Sequence, residues 1–242
     1  MKCGRFLSLL ALPLALAHCS RVGPPSGYSD VSVPVFGSRT TEASMGKVQG
    51  GGVEGLRRSI NLRADMVPKG TKGRWKIRPM TPRYITIHST QNFSADAERH
   101  ALALKRGALR APMRSGGNRI GYLIWHFTVD DDSAVQHMPC NEQGEHADFD
   151  GPGNNYSIGI EMCEERGSNI QTTIDRTARL TACLMHDYNI PVSRVVPHYH
   201  WPRRGVSQPH KNCPHFLLDN GRPGAKWRKF QALVQNYYNA SR

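Results

Sequence analysis

Several of the eleven histidines of this 242-residue chain fall close together near its C-terminal end. They stand in Val196-Pro197-His198-Tyr199-His200-Trp201 and in His210-Lys211-Asn212-Cys213-Pro214-His215. Imidazole nitrogen and thiolate sulfur are both good zinc ligands. A His/Cys cluster in a loop, without CxxC pairs, suits an open catalytic site better than a closed structural one, because three protein ligands leave a fourth position for water. Spacing alone lets His198, His200 and His210 compete for one ligand position. Cys213 could equally be half of a disulfide, and Lys211 a solvated loop lysine. A lone histidine is usually structural, so the reading needs partners elsewhere in the chain. His88 and Glu161 are the candidates, although Glu161 could also be a buried ion-pair partner.

Both candidates sit on segments that present them to one side. Arg83-Tyr84-Ile85-Thr86-Ile87-His88 alternates strictly, so Ile85 and Ile87 share one face of a strand and Tyr84, Thr86 and His88 the other. Residues 157–163 form a second strand, with Ile158, Ile160 and Met162 on one face and Glu161 opposite them. Residues 123–129 and 134–138 read as a hairpin around Asp130-Asp131-Asp132. Ser94 is the expected N-cap of a helix over 95–109, with Asp96 and Glu98 near its positive end. Thr172 and Asp175 form a capping pattern before Ile174, Ala178, Thr181, Met185 and Tyr188, which recur on one helical face and stop short of Pro191. A last helix is expected over 226–238. Strands mixed with helices of this length imply an α/β or α+β sheet covered by helices.

Taken in order, Ile87-His88-Ser89-Thr90, Trp125-His126-Phe127-Thr128, Glu145-His146-Ala147, Gly153-Asn154-Asn155 running on to Glu161, and His198 followed by Lys211-Asn212-Cys213-Pro214 resemble the zinc-dependent N-acetylmuramoyl-L-alanine amidases. That family includes phage lysozyme-type amidases and shares its fold with peptidoglycan recognition proteins. The resemblance covers about residues 82–217. It implies one α/β domain with a central mixed sheet flanked by helices and an open zinc site at the sheet edge. It also implies one zinc per chain held by His88, His198 and Cys213, with Glu161 beside the metal water and Lys211 as the basic catalytic residue. Trp125, His126, His146, Asn154 and Asn155 are the expected substrate-binding residues. His126 and His146 could as well be packed or supporting residues, and a turn explains Asn154 and Asn155 equally well. Trp125 stands where some relatives have a tyrosine near the metal, so this chain has an indole in place of that phenol. The implied partner is peptidoglycan or its muropeptides. A silent binding module on the same fold is the rival, but such relatives typically lack the ligand cysteine.

The rest of the chain constrains where this chemistry happens. Lys and Arg total 32 against 19 Asp and Glu, a net charge of +13 that attracts polyanions without choosing among them. A nucleic-acid partner is not expected, because no recognition motif is present. Met1-Lys2-Cys3-Gly4-Arg5 and the apolar run 6–17 read as an export signal over residues 1–19. Ala15-Leu16-Ala17 would allow cleavage to a soluble product. Leu16-Ala17-His18-Cys19 resembles a lipobox, with His18 where a small residue is usual, so membrane anchoring through lipidated Cys19 is the other outcome. Location in the cell envelope, or secretion, follows from either. Residues 20–72 contain Gly23-Pro24-Pro25 and Gly50-Gly51-Gly52 with no sustained apolar period, which predicts a flexible linker before a catalytic domain over 73–242, although Arg57-Arg58 and Arg63 could equally begin a short packed helix. With Cys213 as a ligand, at most one bridge can form among Cys140, Cys163 and Cys183. A monomer is expected.

Overall fold

The alternation around Ile85 and Ile87 yields the strand that lies second from one edge of a six-stranded mixed sheet. The computed structural model describes residues 31–48, 51–111, 113, 120–203, 207 and 211–242. It begins with α1 (Arg39–Val48), α2 (Gly52–Arg58) and β1 (Leu62–Ala64), followed by β2 (Tyr84–Ser89) and α3 (Ala97–Arg106). The hairpin β3 (Phe127–Val129) and β4 (Ala134–Gln136) precedes the short α4 (Pro152–Tyr156) and β5 (Ser157–Met162). The chain then forms α5 (Ile170–Tyr188), β6 (Val195–Pro197) and α6 (Ala225–Ala240). The strand order is β1-β4-β3-β5-β2-β6, and every neighbouring pair is parallel except the β3/β4 hairpin.

The two faces of this sheet do different work. Ile85, Ile87, Ile158 and Ile160 pack with Ala178 of α5 and Phe230 of α6 in one buried cluster, and each such side chain contributes roughly 1.5–3 kcal/mol when fully buried. Thr86, His88, Gly159 and Glu161 leave the opposite face of the same strands, in register as Thr86↔Gly159 and His88↔Glu161. On that second face α3 covers the hairpin, where Ala97 and Ala101 meet Val135 and Cys163. Helices thus flank the mixed sheet, as the resemblance implied.

Several boundaries differ from the sequence expectation. Asp96, not Ser94, caps α3: its carboxylate accepts from Arg99 N at 2.8 Å, while Ser94 is held by Asn92 Oδ1 in a local turn. Asn169, three residues before Thr172, caps α5 by accepting from Thr172 N at 3.1 Å. Asp175 is spent inside the core on Arg179 and the Tyr237 hydroxyl. Of residues 123–129 only Phe127–Val129 are strand, because Ile124 bridges back to Glu145 outside the sheet.

The largest difference concerns residues 20–72. Residues 20–30, 49 and 50 lie outside the described residues, but the described stretches 31–48 and 51–72 contribute helices, a strand and buried apolar side chains. Val31, Val33, Val48, Leu56 and Ile60 join the main core cluster, and β1 pairs with β4 at the sheet edge. Buried Arg179 and half-buried Arg176 of α5 donate to the carbonyls of Ser59 and Ile60. Apolar residues this sparse give no readable period, yet these five are buried in the cluster that also holds Ala178 of α5 and Phe230 of α6. None of Cys140, Cys163, Cys183 and Cys213 is in a disulfide, and all four are buried. Among the described residues no helix is long and apolar enough to cross a membrane.

Candidate metal centre

Parallel register brings the first two donors together. Ile87 of β2 pairs with Pro197 of β6, so the next residues, His88 and His198, arrive side by side with ring centroids 4.5 Å apart. On the other flank β5 places Glu161 opposite His88, its Oε1 3.8 Å from His88 Nδ1. Cys213 enters from the loop before α6. Its Sγ accepts from Ser89 N at 3.3 Å and lies 4.0 Å from His88 Nδ1. One donor atom each from His88, His198 and Cys213 falls within 4.8 Å of the others, and all three residues are buried. A tetrahedral ion with metal–nitrogen bonds of roughly 2.0–2.1 Å and a metal–sulfur bond of roughly 2.3 Å sets nitrogen and sulfur about 3.6 Å apart. The donor set therefore fits an ion after a small contraction, and two imidazoles with one thiolate suit a borderline-soft divalent metal.

Hydrogen bonds orient the rings for that task. His146 Nε2 faces the Ser157 carbonyl at 3.3 Å, and a carbonyl only accepts, so this nitrogen carries the proton. His146 Nδ1 then accepts from His88 Nε2 at 3.0 Å, which leaves His88 Nδ1 as the lone-pair nitrogen facing Cys213 and Glu161. Burial above all, with His126 nearby, pushes the His146 pKa down to about 3, so the neutral tautomer persists at working pH. His198 Nε2 donates to the Ala147 carbonyl at 3.1 Å, so Nδ1 is the nitrogen that carries its lone pair and could hold an ion. Gly159 makes room for this arrangement: a Cβ there would sit 2.9 Å from three ring atoms of His146.

The structure separates the sequence candidates. His198 reaches the cluster, whereas His200 is exposed and packs edge-on to Trp201; His210 lies outside the described residues. Lys211 is half-buried in the loop that carries Cys213. Three of the expected substrate-binding residues are instead internal supports. Trp125 packs with Val67, Leu104 and Ile124 and donates to Thr128 Oγ1 at 2.7 Å. His126 is fully buried with both ring nitrogens engaged, Nε2 on the Glu142 carbonyl and Nδ1 on Gly159 N. Asn154, 1% exposed, accepts from His146 N and Ala147 N and donates to Glu145 and Phe149, which shapes the loop behind His146 and Ala147. His146 acts on His88, as described above. Asn155 lines a cavity of about 330 Å³, with Lys76, Arg78, Gln143 and Asp150 on its walls.

Sequence reasoning missed the residues behind the donors. Glu164 and His215 form a fully buried pair at 2.6 Å, and Arg78 pairs with buried Glu145 at 2.6 Å. No spacing rule links residues so far apart in the chain. Only the adjacency of His215 to the Cys213 motif offered a signal.

Comparison with known proteins agrees with this geometry. A family model described as N-acetylmuramoyl-L-alanine amidase matches residues 78–216, more than half of the chain. N-acetylmuramoyl-L-alanine amidase XlyA of Bacillus subtilis (strain 168) is 38% identical over 178 residues, which is 72% of this chain and 51% of that protein. CwlH of the same organism is 37% identical over 165 residues, covering 66% of this chain and 58% of the relative. The chain thus spans between half and three-fifths of the length of these relatives. Among solved structures, the catalytic domain of XlyA has a TM-score of 0.58 at 38% identity, covering 72% of this chain and 99% of that one. A mutant endolysin from Bacillus subtilis has a TM-score of 0.60 at 37% identity, covering 72% and 98%. With the ordered motifs, the fold and the donor cluster all in agreement, the chain belongs to the N-acetylmuramoyl-L-alanine amidase family.

Proposed function

We propose that this chain hydrolyses the amide bond between N-acetylmuramic acid and L-alanine in peptidoglycan, with one zinc ion held by His88, His198 and Cys213. The observation that carries the reading is the convergence of these three donors with the Glu161 carboxylate, 3.8 Å from His88 Nδ1. A bound zinc supplies Lewis-acid chemistry: it polarises the scissile carbonyl and makes water a usable nucleophile near neutral pH. Glu161 takes the proton from the attacking water as its oxygen bonds to the carbonyl carbon. The same carboxyl returns that proton to the alanine nitrogen as the C–N bond breaks. Lys211 stabilises the negative charge that develops on the carbonyl oxygen. Asn155 and the neighbouring cavity take up part of the substrate, and His146 holds His88 in the tautomer the site needs. The presence of both Cys213 and Glu161 favours an enzyme over a silent binding module.

The same reading treats residues 1–19 as an export signal and places the protein in the cell envelope or outside the cell, as a monomer acting on wall material. Anchoring through lipidated Cys19 and release after Ala17 differ by the mass of the acyl groups and of His18, so intact mass of membrane and soluble fractions distinguishes them. The activity is tested by digesting purified peptidoglycan and determining the groups released. New L-alanine amino groups without new reducing sugar ends are expected, with loss of activity on chelation. New reducing ends without new amines would mark a glycosidase and overturn the reading.

A further inference from the structure

Glu164 lies three residues beyond Glu161, just past the end of β5, and its side chain is 0% exposed. Neither of its oxygens is needed by the chemistry above, yet both are engaged. Oε1 accepts from Gln91 N at 2.5 Å, in the turn that follows His88 and Ser89. Oε2 lies 2.6 Å from Nε2 of His215, whose side chain is also 0% exposed and which stands two residues after Cys213. A buried carboxylate is costly unless its oxygens are satisfied by donors, so this placement is held by specific partners and not by packing alone. Gln91 has a φ of 50°, a left-handed conformation that a non-glycine residue adopts only when its surroundings hold it there. The two segments joined through Glu164 are the ones that carry His88 and Cys213. On the near side the same segments are joined again, by Ser89 N donating to Cys213 Sγ at 3.3 Å.

We propose that Glu164 and His215 form a positioning clamp for the metal centre. By tying the turn after β2 to the Cys213 loop, the pair sets the separation between the Cys213 thiolate and the His88 imidazole, and so sets metal affinity. The inference rests on the reading that His88, His198 and Cys213 hold the metal. Outer partners of metal ligands are typically worth about 10–100-fold in affinity when removed. Here the clamp grips the backbone on either side of two ligands instead of grasping a ligand ring, so its effect falls on the Cys213–His88 separation.

The test measures zinc affinity of the full chain by chelator competition, together with the thiolate-to-metal charge-transfer absorption of the cobalt-substituted protein, which reports Cys213 ligation directly. Glu164→Ala is expected to bind zinc about 10–100-fold more weakly and to lose or shift that absorption. Glu164→Gln, which keeps an acceptor for Gln91 N, is expected to recover part of the affinity. His215→Gln is the second variant, needed should Glu164→Ala fail to fold, and is expected to weaken zinc to a similar degree. Leu56→Ala, a core truncation remote from the site, serves as the control for general loss of stability and should leave affinity and absorption unchanged. Folded Glu164→Ala or His215→Gln with wild-type affinity and an unaltered cobalt spectrum would overturn the clamp. Wild-type protein that binds no zinc, or whose binding ignores Cys213→Ser, would overturn the reading of the site itself, an outcome distinguishable from failure of the clamp alone.

Discussion

At the scale of single residues the proposed reaction divides the site into groups that would bind the metal and groups that would move protons. Cys213 and the two histidines define the donor cluster, so Cys213→Ser should weaken zinc by well over the roughly 10–100-fold typical of outer partners, as measured by chelator competition. Glu161 is expected to leave metal binding intact, because the three donors converge without it. Glu161→Gln keeps the shape of the side chain but cannot accept the proton of water, so turnover should fall by about 10²–10⁴-fold with zinc retained. Lys211→Met removes a charge while keeping much of the stem, and should cost about 10²–10³-fold in kcat. Steady-state kinetics with metal analysis on the same samples checks both. Near-normal turnover in Glu161→Gln would remove it from the role of proton acceptor.

At the scale of elements, caps and edges decide where the site-bearing segments lie. Asn169 accepts from Thr172 N at the start of α5, the helix that backs the central strands. Asn169→Ala should therefore cost about 0.5–2 kcal/mol in urea unfolding, whereas Thr172→Ala should stay within about 0.5 kcal/mol. Equal effects would return the cap to Thr172. The N-terminal elements are part of the same body. Leu56 of α2 is fully buried in the main core, so Leu56→Ala should cost about 2–5 kcal/mol, a value no loose tether would give.

At the scale of the whole molecule, buried neutral histidines tie stability to pH. Burial is the main cause that holds His126 down to about 4 and His137 down to about 3, against 6.5 when unfolded. Below pH 6.5 the unfolded chain takes up protons that the folded chain refuses, so stability is fully present above 6.5 and is lost as pH falls toward 3. Glu145 works in the opposite direction. Burial, opposed by Arg78, raises it to about 7, so it favours the folded state below 4.5 and loses that contribution as pH rises through 7. Thermal unfolding between pH 3 and 7 should therefore show a net decline toward acid, and His126→Gln, which keeps a donor and an acceptor, should flatten it. An unchanged slope in that variant would mean that His126 is not held neutral by the fold. The net charge of +13 adds a second dependence: association with anionic wall polymers should weaken as salt shortens the screening length.

The family and the donor cluster were legible in the chain because their signals are local: the alternation around Ile87 aims His88 to one face, and the order of His88, Glu161, His198, Lys211 and Cys213 carries the family resemblance. The hairpin and the two long helices were legible because periodicity and turn residues act over short spans. Spacing alone left His198 and His200 in competition and only the resemblance favoured His198, since what separates the two is the pairing of Ile87 with Pro197, a register between strands more than a hundred residues apart. Trp125, His126 and Asn154 read as cleft residues because the motifs that contain them lie beside reactive ones. Tertiary packing turned them inward, where Thr128, Gly159 and Ala147 satisfy their polar atoms. The packing of residues 31–48 and 51–72 and the Glu164–His215 pair were decided in the same way. Burial and long-range hydrogen bonding depend on which surfaces meet, and that is a property of the assembled sheet and helices with no counterpart in the spacing of residues along the chain.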